Sequence, residues 1–91
     1  QLERGLSRRT PNEQLLVGAL INYERGVCSH GEFCRADTTR ERVRTGSAAI
    51  QELQAFIEFG ERIEPVPDVV RTGIDDARGR IEVIRRRMAG N

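Results

Sequence analysis

The chain has 91 residues, which is enough for one domain with a modest hydrophobic core. Hydrophobic residues make up 37% of it and charged residues 32%, a balance that favours a charged helical bundle over a disordered chain, and the small number of aromatic residues argues against a β-sandwich or barrel. The net charge of +1 predicts no partner, and the longest apolar run, Leu15–Ile21, is too short for a membrane span, which needs about 20 residues.

The first helix is predicted by a capping signal. Thr10 suits the N-cap, Pro11 suits the first turn, and Glu13 completes a capping box. The helix is predicted to run from Pro11 to about Val27, with an inward face made of Leu16, Ala19, Leu20, Tyr23 and Val27. The run LLVGALI also fits a buried strand, but the cap and the continuing helical spacing favour the helix.

Two cysteines and the single histidine fall in a predicted loop, Gly26–Ala36, whose glycines break the helical period. Cys28 and Cys34 are interpreted as free thiols or, in an oxidising compartment, as a disulfide that closes a short loop. With His30 they form a weak zinc candidate, because a structural zinc takes four ligands and Glu32 or a second chain would have to supply the fourth. We therefore predict that no metal or other cofactor is bound. A Cys–His nucleophile pair lacks an orienting group and no other catalytic set is visible, so we expect no enzymatic activity.

The second predicted helix begins with another capping box, in which Thr38 is the N-cap, and runs from Thr39 to about Arg62. One heptad seam consists of Val43, Gly46, Ile50, Leu53, Ile57 and Gly60. A second apolar stripe beside it consists of Ala49, Phe56 and Ile63. A helix with two adjacent apolar stripes usually packs between two neighbours, so this helix is predicted to be the middle one.

The third helix carries the most regular seam in the chain. It is predicted from Pro67 to about Ala89, and its apolar residues recur in heptad steps at Val70, Ile74, Ala77, Ile81, Ile84 and Met88. Pro65 ends the second helix, so the short connection predicts an antiparallel hairpin between the second and third helices. The sequence thus predicts an all-α fold, a three-helix bundle built on a long antiparallel helical hairpin. It forms one domain of residues 11–91 after a flexible polar arm of residues 1–10.

Arginines gather at one end of the predicted hairpin. The start of the second helix and the end of the third carry Arg40, Arg42, Arg44, Arg85, Arg86 and Arg87. The opposite end carries Glu52, Glu58, Glu61, Glu64, Asp68, Asp75 and Asp76. The helix dipole and i,i+4 pairing explain the arginines at the end of the third helix, but the dipole favours acids at the start of the second. We predict that the arginine-rich end binds an acidic protein surface or the acidic end of a second copy.

The two seams of the predicted hairpin exceed what the shorter first helix can cover. The uncovered part is expected at Phe56, Phe59 and Ile63, or around Met88, and with the arginine cluster it forms the predicted partner-binding surface. The sequence therefore predicts a non-enzymatic interaction or assembly subunit, acting in a larger complex or as a homo-oligomer. One alternative is a nucleic-acid-binding protein that uses the arginine-rich end, although no aromatic residues interleave those arginines. Another alternative is a Cys/His metal or redox module.

Overall fold

A computed structural model of the protein describes residues 10–90, which form three α-helices and no strands. The helices are α1 (Pro11–Arg35), α2 (Thr39–Glu61) and α3 (Asp68–Ala89). The predicted all-α three-helix bundle is confirmed. Within the described part of the chain, no helix is both long enough and apolar enough to cross a membrane. The predicted flexible arm lies outside the described residues, except for its last residue.

Each helix begins where the sequence places a cap or a proline. The capping box predicted for α1 is present, since the Glu13 N–H donates to Thr10 Oγ1 over 3.1 Å and the Thr10 N–H donates to Glu13 Oε1 over 2.9 Å. Thr38 Oγ1 caps α2 by accepting from the Glu41 N–H over 3.1 Å. Pro67 is the N-cap of α3, so this helix begins one residue later than predicted.

The prediction of a loop at Gly26–Ala36 is wrong, because α1 continues through nearly all of it. The buried residues of α1, namely Ala19, Gly26 and Phe33, recur every seven residues. The helical period therefore runs on to Phe33, but its middle position is Gly26, a residue that a hydrophobicity pattern does not count as apolar. A Cβ at Gly26 would lie 2.6 Å from Leu53 Cδ2, so this glycine allows α2 to approach closely and does not mark a turn.

Helix α2 lies between α1 and α3, as predicted, and runs antiparallel to both. Gly60, near the end of α2, faces Val70 near the start of α3. Gly46, near the start of α2, faces Phe33 of α1 and Met88 of α3. The most extensive packing joins α1 to α2, so the first hairpin is tighter than the α2–α3 hairpin that the sequence suggested as the spine. Helices α1 and α3 consequently run parallel, and they touch each other much less.

The hydrophobic core lies between α2 and its two neighbours. The predicted seam of α3 is buried over its first five members, Val70, Ile74, Ala77, Ile81 and Ile84. On α2 the buried residues come from both predicted stripes, since Leu53 of the first and Ala49 and Phe56 of the second are buried. Val43, at the start of the first stripe, is exposed instead. The boundary between the two stripes therefore faces the core, because α2 packs against one helix on each side.

Candidate functional site

A groove, here called the α1/α3 groove, runs between α1 and α3, because both helices pack on α2 and make little contact with each other. Two side-chain bonds give the parallel register of its walls. Asn12 Nδ2 donates to the Glu64 carbonyl oxygen over 2.6 Å, and further along the Tyr23 hydroxyl donates to Asp76 Oδ2 over 2.6 Å. A residue of α1 therefore lies at the level of the α3 residue about 53 positions later.

Each wall of the α1/α3 groove is a heptad stripe that flanks the core. The α3 wall consists of Val69, Gly73, Asp76, Arg80, Val83 and Arg87, each one position before a member of the core seam. The α1 wall consists of Leu16, Leu20, Tyr23, Val27, His30 and Cys34. Four of the five residues predicted to face inward on α1, all except Ala19, are therefore half-buried or exposed at the groove.

Apolar side chains are concentrated along this groove. Near the start of α3 it holds a cavity of about 440 Å³, lined by Tyr23, Val69, Thr72, Gly73 and Asp76. The exposed large hydrophobic side chains of the described residues are Leu20 (48% exposed), Ile21 (45%), Val43 (50%), Val69 (76%) and Val83 (47%). Leu20, Val69 and Val83 belong to the two groove stripes. The groove stripes thus carry three of the five exposed large hydrophobic side chains of the described residues.

A hydrogen-bonded network crosses the middle of the α1/α3 groove. Asp76 Oδ2 accepts from the Tyr23 hydroxyl over 2.6 Å and from Arg80 Nε over 2.7 Å. Arg80 Nη1 also lies 2.9 Å from His30 Nδ1. Because arginine only donates, His30 Nδ1 accepts, which places the imidazole proton on Nε2. Side chains in this network therefore connect α1 to α3 across the groove.

Each group in the network is held in the protonation state that its hydrogen bonds require. The hydrogen bond to Asp76 raises the pKa of Tyr23 above its usual 10.0, and burial raises it further. The same bond, supported by Arg80, lowers the pKa of Asp76 below 3.8 against the opposing effect of burial. Burial lowers the pKa of His30 below 6.5, and the charges of Arg80 and Arg87 lower it further, which favours the neutral imidazole that accepts from Arg80. The arrangement thus favours a stable inter-helix contact over a reactive acid or base.

Charge divides the described chain at the level of this network. The acidic end, residues 10–22 and 52–76, carries eight acidic residues and two arginines. The basic end, residues 23–51 and 77–90, carries ten arginines and five acidic residues. The two ends of the bundle therefore have opposite net charge.

At the basic end a second cavity, of about 400 Å³, opens where the groove meets the start of α2. It is lined by Phe33, Cys34, Ala36, Arg42, Arg87 and Gly90. Arg42 and Arg87 come from different helices, and neither forms an ion pair with another of residues 10–90. The structure thus brings two of the six predicted partner-binding arginines to one cavity.

The other four arginines of the predicted cluster take different positions. Arg86 forms an exposed i,i+4 ion pair with Glu82. Arg85 lines a separate cavity between α2 and α3, on the other flank of α3. Arg40 and Arg44 are exposed near the start of α2. The predicted cluster is therefore spread over several faces of the basic end.

The cysteines occupy a helix, where the sequence predicted a loop. Cys28 and Cys34 are free, exposed thiols on α1. Six residues of α-helix separate them by about 9 Å along the axis, which is beyond the reach of a disulfide, so that interpretation does not fit the structure. His30, between them, contacts Arg80 on α3. Residues 10–90 contain no group of three His, Cys, Asp or Glu side chains that could hold a metal ion.

The three apolar residues predicted to bind a partner lie mainly inside the bundle. Phe56 is buried between the outer helices, with its ring centroid 4.7 Å from that of Tyr23 and its edge against Gly73. Ile63 is buried, and Phe59 is half-buried against α1. Uncovered apolar surface was predicted at this stripe or around Met88. Phe56 and Ile63 are instead covered within the bundle, and Phe59 and Met88 are half-buried.

The groove residues that the sequence interpretation missed carry a readable signal. Val69, Asp76 and Val83 recur every seven residues, one position before the core seam. Two parallel heptad stripes on one helix indicate a second packed or partner-facing side. The sequence interpretation missed this stripe because it includes polar residues, Asp76 and Arg80. Their hydrogen-bond partners, Tyr23 and His30, lie on α1, far away in the sequence.

No protein-family model, curated protein or solved structure matches this chain. The fold and the site define its class as an all-α three-helix bundle with an open groove between its two parallel helices.

Proposed function

We propose that the protein is a non-enzymatic helical interaction or assembly subunit that binds a protein partner in the α1/α3 groove. The observation that carries the proposal is the position of Leu20, Val69 and Val83, three of the five exposed large hydrophobic side chains of the described residues. Fully burying one such side chain contributes about 1.5–3 kcal/mol, so three of them support a specific complex. A groove between two helices suits an amphipathic helix, whose apolar face it would cover.

The polar middle of the groove supports the same proposal. The Tyr23 hydroxyl and Arg80 Nε already donate to Asp76 Oδ2 within the chain. A partner that covers these three atoms can leave both hydrogen bonds in place and so avoid, at those atoms, the cost of about 1–3 kcal/mol for an unpaired buried group. Arg42 and Arg87, which have no ion pair with another of residues 10–90, provide the charged contact that orients an acidic partner at the basic end.

A non-enzymatic role is supported by the chemistry of the network. The pKa values of Tyr23 and Asp76 are shifted away from neutrality, the first upward and the second downward. The neutral His30 ring uses its Nδ1 lone pair to accept a hydrogen bond from Arg80. A general acid or base needs a pKa near the working pH, from which those of Tyr23 and Asp76 are shifted away, and the lone pair with which His30 would act as a base is occupied by Arg80.

The test compares matched pairs of exposed hydrophobic residues on and off the groove. The chain is purified under native conditions from the cells that make it, and its mass is measured by native mass spectrometry. We expect Leu20→Glu to remove bound protein and Ile21→Glu, the next residue with a similar exposure of 45%, to leave it bound. The second pair is Val83→Glu on the groove and Val43→Glu, exposed by 50%, away from it.

Circular dichroism at 222 nm checks that all four variants keep the helix content of the wild type. A wild-type chain that carries no second polypeptide, of its own kind or another, would contradict the proposal. So would a complex that the off-groove substitutions weaken as much as the groove substitutions do.

A nucleic-acid backbone is a second candidate ligand for the basic end, because Arg42 and Arg87 have no acidic partner among the described residues. The surroundings favour a protein instead. Phe33, the aromatic residue of that cavity, is 2% exposed and does not present a face on which a base could stack. Salt-dependent binding of a labelled oligonucleotide, lost in Arg87→Glu and kept in Leu20→Glu, would favour the nucleic-acid candidate.

A further inference from the structure

We infer that the occupant of the α1/α3 groove is a second copy of this chain, laid antiparallel on the first. This inference rests on the proposed function and names the partner. In such a dimer the basic end of each copy covers the acidic end of the other. A two-fold axis through the middle of the groove relates the two copies.

The two ends of the bundle have complementary charges. The acidic end carries eight acidic residues and two arginines, and the basic end ten arginines and five acidic residues. A parallel pair would place like charges together at both ends. An antiparallel pair with two-fold symmetry makes the favourable contact twice, because each copy supplies the same surface.

The exposed valines of α3 are spaced symmetrically about Asp76. Val69 and Val83 lie seven residues on either side of Asp76 on the same stripe of α3. A two-fold axis near Asp76 therefore sets Val69 of one copy beside Val83 of the other. The same operation brings Arg87 to the level of Glu64 and Asp68 of the second copy.

The face formed by α1 and α3 is large enough for a dimer interface. Helix α3 has 22 residues, and at 1.5 Å per residue it spans about 33 Å. Two neighbouring helices present a face about 20 Å wide, so each copy would bury about 650 Å² and the pair about 1,300 Å². Specific interfaces bury about 1,200–2,000 Å² in total, so this face suffices for a dimer.

The test is a charge swap on the recombinant full chain. One variant reverses the basic end with Arg42→Glu and Arg87→Glu, and the other reverses the acidic end with Glu64→Arg and Asp68→Arg. Sedimentation velocity at about 50 mM salt should show a wild-type dimer, and a dissociation constant raised at least about tenfold for each variant alone. An equimolar mixture of the two variants should dimerise again, and native mass spectrometry should identify the species as a heterodimer.

The control is the variant Arg25→Glu with Arg85→Glu, which makes the same change in net charge at the basic end but away from the groove. It should dimerise like the wild type, and circular dichroism should show equal helix content in all variants. Three results would overturn the inference: a wild-type monomer at about 100 µM, a dimer indifferent to both reversals, or a mixture that stays monomeric.

The outcome also separates this inference from the proposed function. A recombinant monomer whose natively purified form carries a different protein, lost in Leu20→Glu, would reject the second copy and retain the interaction subunit. Absence of any bound chain in both preparations would reject both proposals.

Discussion

Helix α2 meets its two neighbours through two different kinds of surface. Toward α1 two of the three buried positions of α1 are the small residues Ala19 and Gly26, and Leu53 of α2 fills the space that Gly26 leaves. Toward α3 the buried residues of α3 are mainly large aliphatic side chains, Val70, Ile74, Ile81 and Ile84. This contact also includes two glycines, Gly60 of α2 and Gly73 of α3, against which side chains of the other helix pack. The two helices of the first contact approach more closely, and α1 and α2 accordingly pack most extensively.

The difference teaches that one core can depend on two opposite properties. The α2–α3 contact depends on apolar volume, which a heptad pattern reveals directly. The α1–α2 contact depends on the absence of side-chain atoms at a few positions, which hydrophobicity does not record. The two properties can be tested separately: a charge at Ile84 replaces apolar volume in the α2–α3 contact, and a methyl group at Gly26 adds volume to the α1–α2 contact.

The largest effect is expected from a charge in the aliphatic contact. Ile84 is completely buried, so Ile84→Glu would bury a carboxylate without a partner at a cost of about 4 kcal/mol or more. This is comparable to the whole stability of a small domain, and we expect the helical circular dichroism signal to be largely lost at 25 °C. Ile84 is the sharper choice over Ile81, which lines a cavity with Arg78 and Arg85 that could pair with a new carboxylate.

The matched control for this substitution is the preceding residue. Val83 is 47% exposed, so Val83→Glu should keep the helix content and change the free energy of unfolding by less than about 0.5 kcal/mol when measured on the monomer. Equal loss of structure in both variants would show that the α3 seam does not divide core from surface as described.

A smaller effect, of the opposite kind, is expected in the glycine contact. A Cβ at Gly26 would lie 2.6 Å from Leu53 Cδ2 and 3.3 Å from the Leu53 backbone nitrogen, so Gly26→Ala should lower the free energy of unfolding by about 1–2 kcal/mol despite its better helix propensity. Gly79, with nothing within 4 Å of an added Cβ, is the matched control. Gly79→Ala should stabilise by about 0.5–1 kcal/mol. Urea denaturation monitored at 222 nm measures both.

A double-mutant cycle sharpens this comparison. In a Leu53→Ala background the clash is removed, so Gly26→Ala should become neutral or stabilising. If Gly26→Ala stabilises the wild-type chain as much as Gly79→Ala does, the close approach of α1 and α2 is not what fixes glycine at position 26.

The smallest effect concerns the third contact, in which polar side chains join α1 to α3. Tyr23 is the single tyrosine and the chain has no tryptophan, so the change in absorbance at 295 nm above pH 9 reports the ionisation of this residue alone. The Asp76 carboxylate raises the pKa of Tyr23, so its midpoint should lie above 10 and fall towards 10 in Asp76→Asn. Because the folded-state pKa is raised, this contact stabilises the fold below pH 10 and is lost as the pH rises through the midpoint.

Asp75→Asn serves as the control for this titration. Asp75 is exposed and is not among the groups that shift the pKa of Tyr23, so the midpoint should stay where it is in the wild type. A wild-type midpoint at or below 10, or one that Asp76→Asn leaves unchanged, would mean that the network does not form in solution.

The difference between a contact made by large apolar side chains and one made possible by a glycine also explains what the sequence could predict. The α3 seam, both threonine caps and the middle position of α2 were predicted correctly, because each rests on a local signal or a run of large apolar residues. The second half of α1 was predicted as a loop, because its glycines, serine and cysteines interrupt the apolar pattern and its buried position at Gly26 does not look apolar. A sequence does not distinguish a glycine buried in a helix contact from a glycine in a turn. The distinction depends on the side chain that packs against it, which here is Leu53.

The candidate site was less predictable than the fold. The basic and acidic ends followed from charge order along a hairpin, but which arginines meet depends on helix rotation. Arg42 and Arg87 converge, whereas Arg85 turns to the other flank of α3. The pairing of Tyr23 with Asp76 joins residues 53 positions apart on helices that are not consecutive, and no local pattern carries that information.

The central position of α2 also sets the order in which the chain can open. Either outer helix can leave α2 while the remaining pair keeps its own contact, but exposing the amides of α2 requires both contacts to break. Hydrogen exchange of α2 amides should therefore proceed only through complete unfolding, whereas α1 and α3 can exchange through partial openings of lower free energy. The middle helix thus acts as the common element of two cooperative units, and its slowest-exchanging amides should report the global stability of the protein.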